Sequence, residues 1–175
     1  MVHNFDDRLE WGNQSSDEPF WEAVYRIAFP DLACTMRIVA DCPAQRLGID
    51  RVLGLKSGKQ LSVDEKKRKE DRGDILLEVI SNDRTKAPGW MEKDSMQIDY
   101  LAYAFMPSRR CYLFDWLQLR RAWFEHGAEW KRKAKSGLPS METLYDLRRW
   151  KGEDCFSVVA AENRGYWTLS IAVPT

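Results

Sequence analysis

Histidine is scarce in this 175-residue chain, which has only His3 and His126. The four cysteines, Cys34, Cys42, Cys111 and Cys155, stand far apart with no C-x-x-C pair among them. A zinc centre of ordinary ligand spacing is therefore not expected, and the thiols are expected to be reduced and partly buried. Net charge is absent as well, since 27 basic residues balance 27 acidic ones. A passive nucleic-acid coat would be strongly basic, so that class is disfavoured, although an enzyme meeting DNA through a local patch is not. No apolar run approaches the roughly 20 residues needed to cross a bilayer, so no membrane partner is expected. The opening residues Met1-Val2-His3-Asn4-Phe5-Asp6-Asp7 lack the basic and apolar regions of a signal peptide, and a cytoplasmic address is expected.

What is present is the composition of a globular chain, with 44% hydrophobic and 31% charged residues. Residues 1–16 are polar and irregular and read as an arm; residues 17–175 read as one domain. Asp17-Glu18-Pro19 is a helix start, with Asp17 as the cap. Phe20, Ala23, Val24, Ile27 and Ala28 follow at helical spacing. Glu18 and Glu22 fall away from that stripe, and Glu22 is placed to pair with Arg26. Strands are expected near residues 35–40, at 49–55 and 60–68 around a Lys56-Ser57-Gly58-Lys59 turn, and at 75–80. Residues 89–94 read as a helical turn, 98–105 as a central strand and 111–114 as another. A long helix is expected over 115–135, with Trp116, Leu119, Trp123 and Trp130 on one face. Residues 138–151 are ambiguous, and 156–161 with 166–173 read as a terminal hairpin. The order implies an α/β (α+β) fold, a mixed sheet flanked by helices.

The most informative stretch is Gly48-Ile49-Asp50-Arg51 with Asp64-Glu65-Lys66-Lys67-Arg68. Alternate residues on a strand share a face, so Asp64 and Lys66 stand together, and a hairpin brings Asp50 to them. Two carboxylates and a lysine in a polar notch are what a Mg²⁺-dependent phosphodiesterase needs. Strand phase separates Ser62, Asp64 and Lys66 from Leu61, Val63, Glu65 and Lys67. It thereby favours Asp64 and Lys66 over the overlapping Glu65-Lys66-Lys67 spelling. The plainer alternative is a solvated strand end with cross-strand ion pairs.

These residues resemble the PD-(D/E)XK nuclease superfamily, whose restriction-endonuclease-like core runs helix, three-strand meander, helix, strand. Asp50 matches the aspartate of one strand, and Asp64-Glu65-Lys66 matches the acidic-x-lysine of the next. The chain is also similar to small uncharacterised phage and mobile-element proteins that pair a Gly-Ile-Asp-Arg-like strand with an Asp-Glu-Lys-like one. It departs from the superfamily in lacking a proline before Asp50 and in placing a charged residue, Glu65, mid-triplet. The resemblance implies a deoxyribonuclease with Asp50, Asp64 and Lys66 as catalytic residues. Mg²⁺, or Mn²⁺, would be held by Asp50 and Asp64, with Glu65 a further candidate ligand. Lys67, Arg68, Lys86 and Lys93 would contact the DNA backbone, and Glu78 is a further acidic candidate. A homodimer is compatible with such chemistry. The alternative is a non-catalytic module of phage or mobile-element origin on the same fold, binding DNA or a host protein.

Overall fold

Pro19 lacks only an N–H that a first helical turn leaves unpaired anyway, and it opens α1 (Glu18–Ala28). In this computed structural model, residues 17–38, 42–70, 77–82, 85–133 and 168–172 are described. The buried face of α1 is Phe20, Trp21, Val24 and Tyr25, while Ile27 is 50% exposed. The expected stripe is thus rotated by about one position, because Trp21 and Tyr25 offer far more apolar area than Ala23 and Ala28. That rotation carries Glu18, about one turn before Trp21 and two before Tyr25, toward the sheet. Asp17 makes no side-chain cap and bonds Lys67 instead.

Strands β1 (Leu32–Arg37), β2 (Arg51–Leu55) and β3 (Gln60–Arg68) form an antiparallel meander. A short helix, α2 (Pro43–Arg46), leads into β2. The β2–β3 turn closes with Leu55 N–H on Lys59 O and Gly58 N–H on Leu55 O. The expected third strand over 75–80 does not form among the described residues. Leu77 is buried in the core instead, and β4 (Ile80–Asn82) pairs with β5 (Ala87–Pro88) in a separate two-stranded ribbon. The helical turn after it is present, with Glu92 and Lys93 donating to Gly89 O.

The next strand, β6 (Tyr100–Phe105), runs parallel to β3 and antiparallel to β7 (Arg110–Asp115), and β8 (Thr168–Ala172) closes the far edge. The result is a six-stranded mixed sheet of order β1-β2-β3-β6-β7-β8. Asp115 Oδ1 accepts the Gln118 N–H at 2.9 Å and caps α3 (Trp116–Lys133). The arm, residues 138–151 and the expected strand over 156–161 lie outside the described residues, as does the Trp130 side chain. The described partner of β8 is β7 rather than a hairpin mate.

Period-two alternation sorts the core into two layers. Tyr100, Ala102, Ala104, Cys111 and Leu113 pack toward α1 with Leu53, Leu61 and Val63. Leu101, Tyr103, Phe105, Tyr112 and Phe114 pack toward α3, where Trp116, Leu119, Ala122 and Trp123 meet Leu77, Trp90, Met91 and Ile98. The sheet is therefore covered on both faces, and β6 is an unbroken apolar run because it is central. This is a mixed α+β fold with helices on both sides of the sheet, as the element order implied.

Gly89 and Gly58 test how tightly the α3 side is built. A Cβ on Gly89 would collide with the backbone of Glu78, whereas one on Gly58 meets nothing despite its φ of +86°. Urea denaturation is expected to show Gly89→Ala losing about 2–3 kcal/mol. Gly58→Ala should lose only the left-handed strain of about 1 kcal/mol. Equal losses would mean that the 77–91 loop does not hold Glu78 against Gly89.

Candidate metal-dependent active site

The chain reaches β2 through α2 and a turn at Gly48, whose φ is +80°. Gly48 N–H bonds Gln45 O and Ile49 N–H bonds Ala44 O, which delivers Asp50 to the end of the β2–β3 ladder. There the ladder changes character. Asp50 N–H still bonds Val63 O at 2.9 Å, but the next inward N–H of β3, that of Glu65, is taken by Asp50 Oδ2 at 2.8 Å. A side-chain carboxylate stands where a main-chain carbonyl would otherwise accept. Asp50 thus lies one residue beyond the last paired position, Arg51↔Val63, next to the Asp64-Glu65-Lys66 triplet.

Asp64 is 2% exposed. Its Oδ1 accepts from Lys66 Nζ at 2.6 Å, and its Oδ2 is buried with no hydrogen-bond partner among the described residues. The Asp50 carboxylate is close enough to Asp64 to disfavour its charged form. Burial drives the Asp64 carboxyl up, Lys66 opposes that, and the neighbouring Asp50 adds to it, leaving the group at about 7. Burial alone would lower Lys66, but Asp64, Asp50 and Glu78 outweigh it and hold the ammonium above its ordinary value. Three carboxylates thus act on one ammonium. Glu78 is fixed through its backbone, its carbonyl accepting from Met91 N–H at 3.0 Å.

Of the residues picked out in the sequence, Asp50, Asp64 and Lys66 come together on the α3 side. Glu65 does not join them. Strand alternation turns it to the α1 side, where its Oε1 accepts from Arg51 Nε at 2.6 Å and Tyr25 Oη at 2.8 Å. As a ligand beside Asp50 and Asp64 it is ruled out by that geometry. Lys67 shares Glu65's face; its side chain is 6% exposed and pairs with Asp17 at 2.5 Å, so it is a tie between β3 and α1 rather than a DNA contact. Arg68 is half-buried at the end of β3, while Lys86 and Lys93 are exposed on the 85–94 segment. Glu22 pairs with Arg26 at 2.6 Å, as its spacing implies.

Set beside family models, curated proteins and solved structures, the chain has no match. The site therefore rests on its own chemistry. Among the described residues, no group of three or more His, Cys, Asp or Glu is assembled to hold a metal. Two carboxylates, one with an unpartnered oxygen, do suit Mg²⁺, which keeps several waters and takes one or two carboxylates.

Sequence reading missed the α1-side network. Arg51, 1% exposed, joins Glu65 to Glu18 through Nη2 at 2.9 Å, and its Nη1 reaches Thr35 Oγ1 at 3.4 Å. Glu18 also pairs with Arg37 at 3.5 Å. The signal for Arg51–Glu65 was available: opposite charges at diagonal positions of one hairpin, both phased toward α1. Nothing in the sequence singles out the Tyr25 hydroxyl as the third member.

The state of Asp64 has a pH signature. Its folded value of about 7 exceeds the unfolded value near 3.9, so folding binds a proton between them. The corresponding stability is fully present below about pH 4 and is lost as pH rises toward and through 7. In EDTA, the melting temperature is expected to rise as pH falls from 8 to 6, and Asp64→Asn, which mimics the protonated acid, should flatten that slope. An unchanged slope in Asp64→Asn would show that this carboxyl is not the group responsible.

Proposed function

We propose that this chain is a Mg²⁺-dependent phosphodiesterase that hydrolyses DNA on a restriction-endonuclease-like core. The observation that carries the reading is the buried Oδ2 of Asp64, which has no hydrogen-bond partner among the described residues, on a carboxyl that Lys66 holds by Oδ1 and that the Asp50 carboxylate neighbours. An ionised oxygen with no donor in a buried site is costly, and a divalent cation removes that cost. The element order adds support: a helix, a three-strand meander bearing the aspartate and the acidic-x-lysine triplet, then a parallel strand. Where the superfamily pattern has a helix after the meander, the described residues have the β4–β5 ribbon.

In this reading Asp50 and Asp64 hold the ion. When bound, it neutralises a phosphate oxygen and makes a coordinated water more acidic. Asp50 cannot swing away, because the Glu65 N–H grips its Oδ2. Lys66, kept protonated by the acids around it, stands beside the reacting phosphate. Hydrolysis adds water across a P–O bond, and the negative charge growing on the phosphorus-bound oxygens is stabilised by that ammonium. Lys86 and Lys93 are the exposed candidates for backbone phosphate contacts, which give affinity without sequence information.

One observation favours a second reading, a non-catalytic DNA- or protein-binding module on the same fold. Only two carboxylates, not a set of three, are placed for a metal among the described residues. Single-stranded, double-stranded and branched DNA incubated with Mg²⁺ or Mn²⁺ separates the two readings. Cleavage by the parent is expected to fall by at least about 100-fold in Asp50→Ala, Asp64→Asn and Lys66→Met, with folding retained. Variants that cut as well as the parent, or a parent that binds no Mn²⁺ by calorimetry, would overturn the phosphodiesterase reading.

A further inference from the structure

We infer that Arg51 and Glu65 are positioning residues that aim the Asp50 carboxylate at Asp64. The inference rests on the phosphodiesterase reading and extends it to the opposite face of the sheet. Asp50-Arg51 on one side and Asp64-Glu65-Lys66 on the other are divided by strand alternation into two sets. Asp50, Asp64 and Lys66 face the α3 side; Arg51 and Glu65 face α1. Glu65 touches both through hydrogen bonds. Its side chain is held by Arg51 and Tyr25, while its main-chain N–H donates to Asp50 Oδ2. The peptide plane between Asp64 and Glu65 is therefore set from the α1 side and read out on the α3 side.

The grip on Glu65 is directional at every point. Arg51 reaches Glu65 with Nε at 2.6 Å and Glu18 with Nη2 at 2.9 Å, so its planar fork cannot rotate without breaking one bond. The Tyr25 ring lies 5.8 Å from the guanidinium, and its hydroxyl gives Glu65 a second donor. Stability alone does not call for such a pair, because apolar residues of similar volume in place of a buried ion pair are often as stable. What an apolar pair cannot do is fix the tilt of the Glu65 N–H. A misplacement near 1 Å at a reacting centre costs on the order of 100-fold in rate.

The test replaces the pair by apolar residues, Arg51→Met with Glu65→Leu, in the full chain. The melting temperature and the KM for a linear double-stranded DNA fragment are expected to stay near those of the parent. The kcat with Mg²⁺ should fall about 10- to 100-fold, and Mn²⁺ binding should weaken several-fold. Glu65→Gln keeps the acceptor for Arg51 and Tyr25 and should restore most of the kcat. Arg51→Lys keeps the charge but loses the fork; it should give the same split of kcat from KM, so the test stands even where the double variant does not fold. An NMR readout is independent of activity. The position-65 amide proton, expected downfield in the parent through its bond to Asp50, should move upfield in the double variant and in Asp50→Ala alike. A double variant with parental kcat, Mn²⁺ affinity and amide shift would overturn the positioning role while leaving the phosphodiesterase reading intact. A parent that neither binds Mn²⁺ nor cleaves would overturn that reading and the positioning role with it.

Discussion

Two consecutive carboxylates on β3, Asp64 and Glu65, are carried into opposite faces of a covered sheet, and each must meet positive charge or hydrogen-bond donors there. Glu65 finds two donors, a guanidinium nitrogen and a tyrosine hydroxyl on one oxygen, with Arg51 itself balanced by Glu18. Asp64 finds the Lys66 ammonium on one oxygen and, among the described residues, no partner on the other. The architecture around them serves that difference. Helix α1 supplies Tyr25 and Glu18 to the satisfied side, and the 77–98 segment brings Glu78 into the field of Lys66 on the unsatisfied one.

The contrast separates a structural acid from a reactive one. A buried carboxylate that is fully hydrogen-bonded is inert and specifies geometry. A buried carboxyl with an open oxygen and a second acid beside it holds a proton at neutral pH or attracts a cation. Asp64 is of the second kind. Its neighbour Asp50 is kept close by the β2–β3 ladder, which ends by exchanging a main-chain acceptor for the Asp50 side chain. The two faces are thus joined where the Asp64–Glu65 peptide donates its N–H to Asp50.

Much of this was legible from periodicity. The meander strands β2 and β3 and the helix α3 fall close to where the pattern set them, and phase alone placed Asp64 and Lys66 together and Glu65 apart. The misses have physical causes. The buried face of α1 departs from the expected stripe because Trp21 and Tyr25 outweigh alanines in buried area, and the same rotation brings Glu18, expected to face away, to Arg51. Residues 77–79 are apolar enough for a strand, but Leu77 is buried as a single anchor under the α3 layer, and the ladder beside β3 belongs to β6. Lys67 looked like a surface cation within a basic run, yet its phase sends it inward to Asp17.

The sequence by itself determined which side chains share a face, because alternation along a strand is a local property of the backbone. It therefore determined that one acid and the lysine stand apart from the acid between them. Only the tertiary structure decided which of the two faces is saturated and which is not. That depends on what α1 and the 77–98 segment bring from distant positions. A tyrosine hydroxyl and a second glutamate reach the Arg51–Glu65 side, and no donor among the described residues reaches Asp64 Oδ2, since partners for buried charge are set by packing rather than by spacing along the chain.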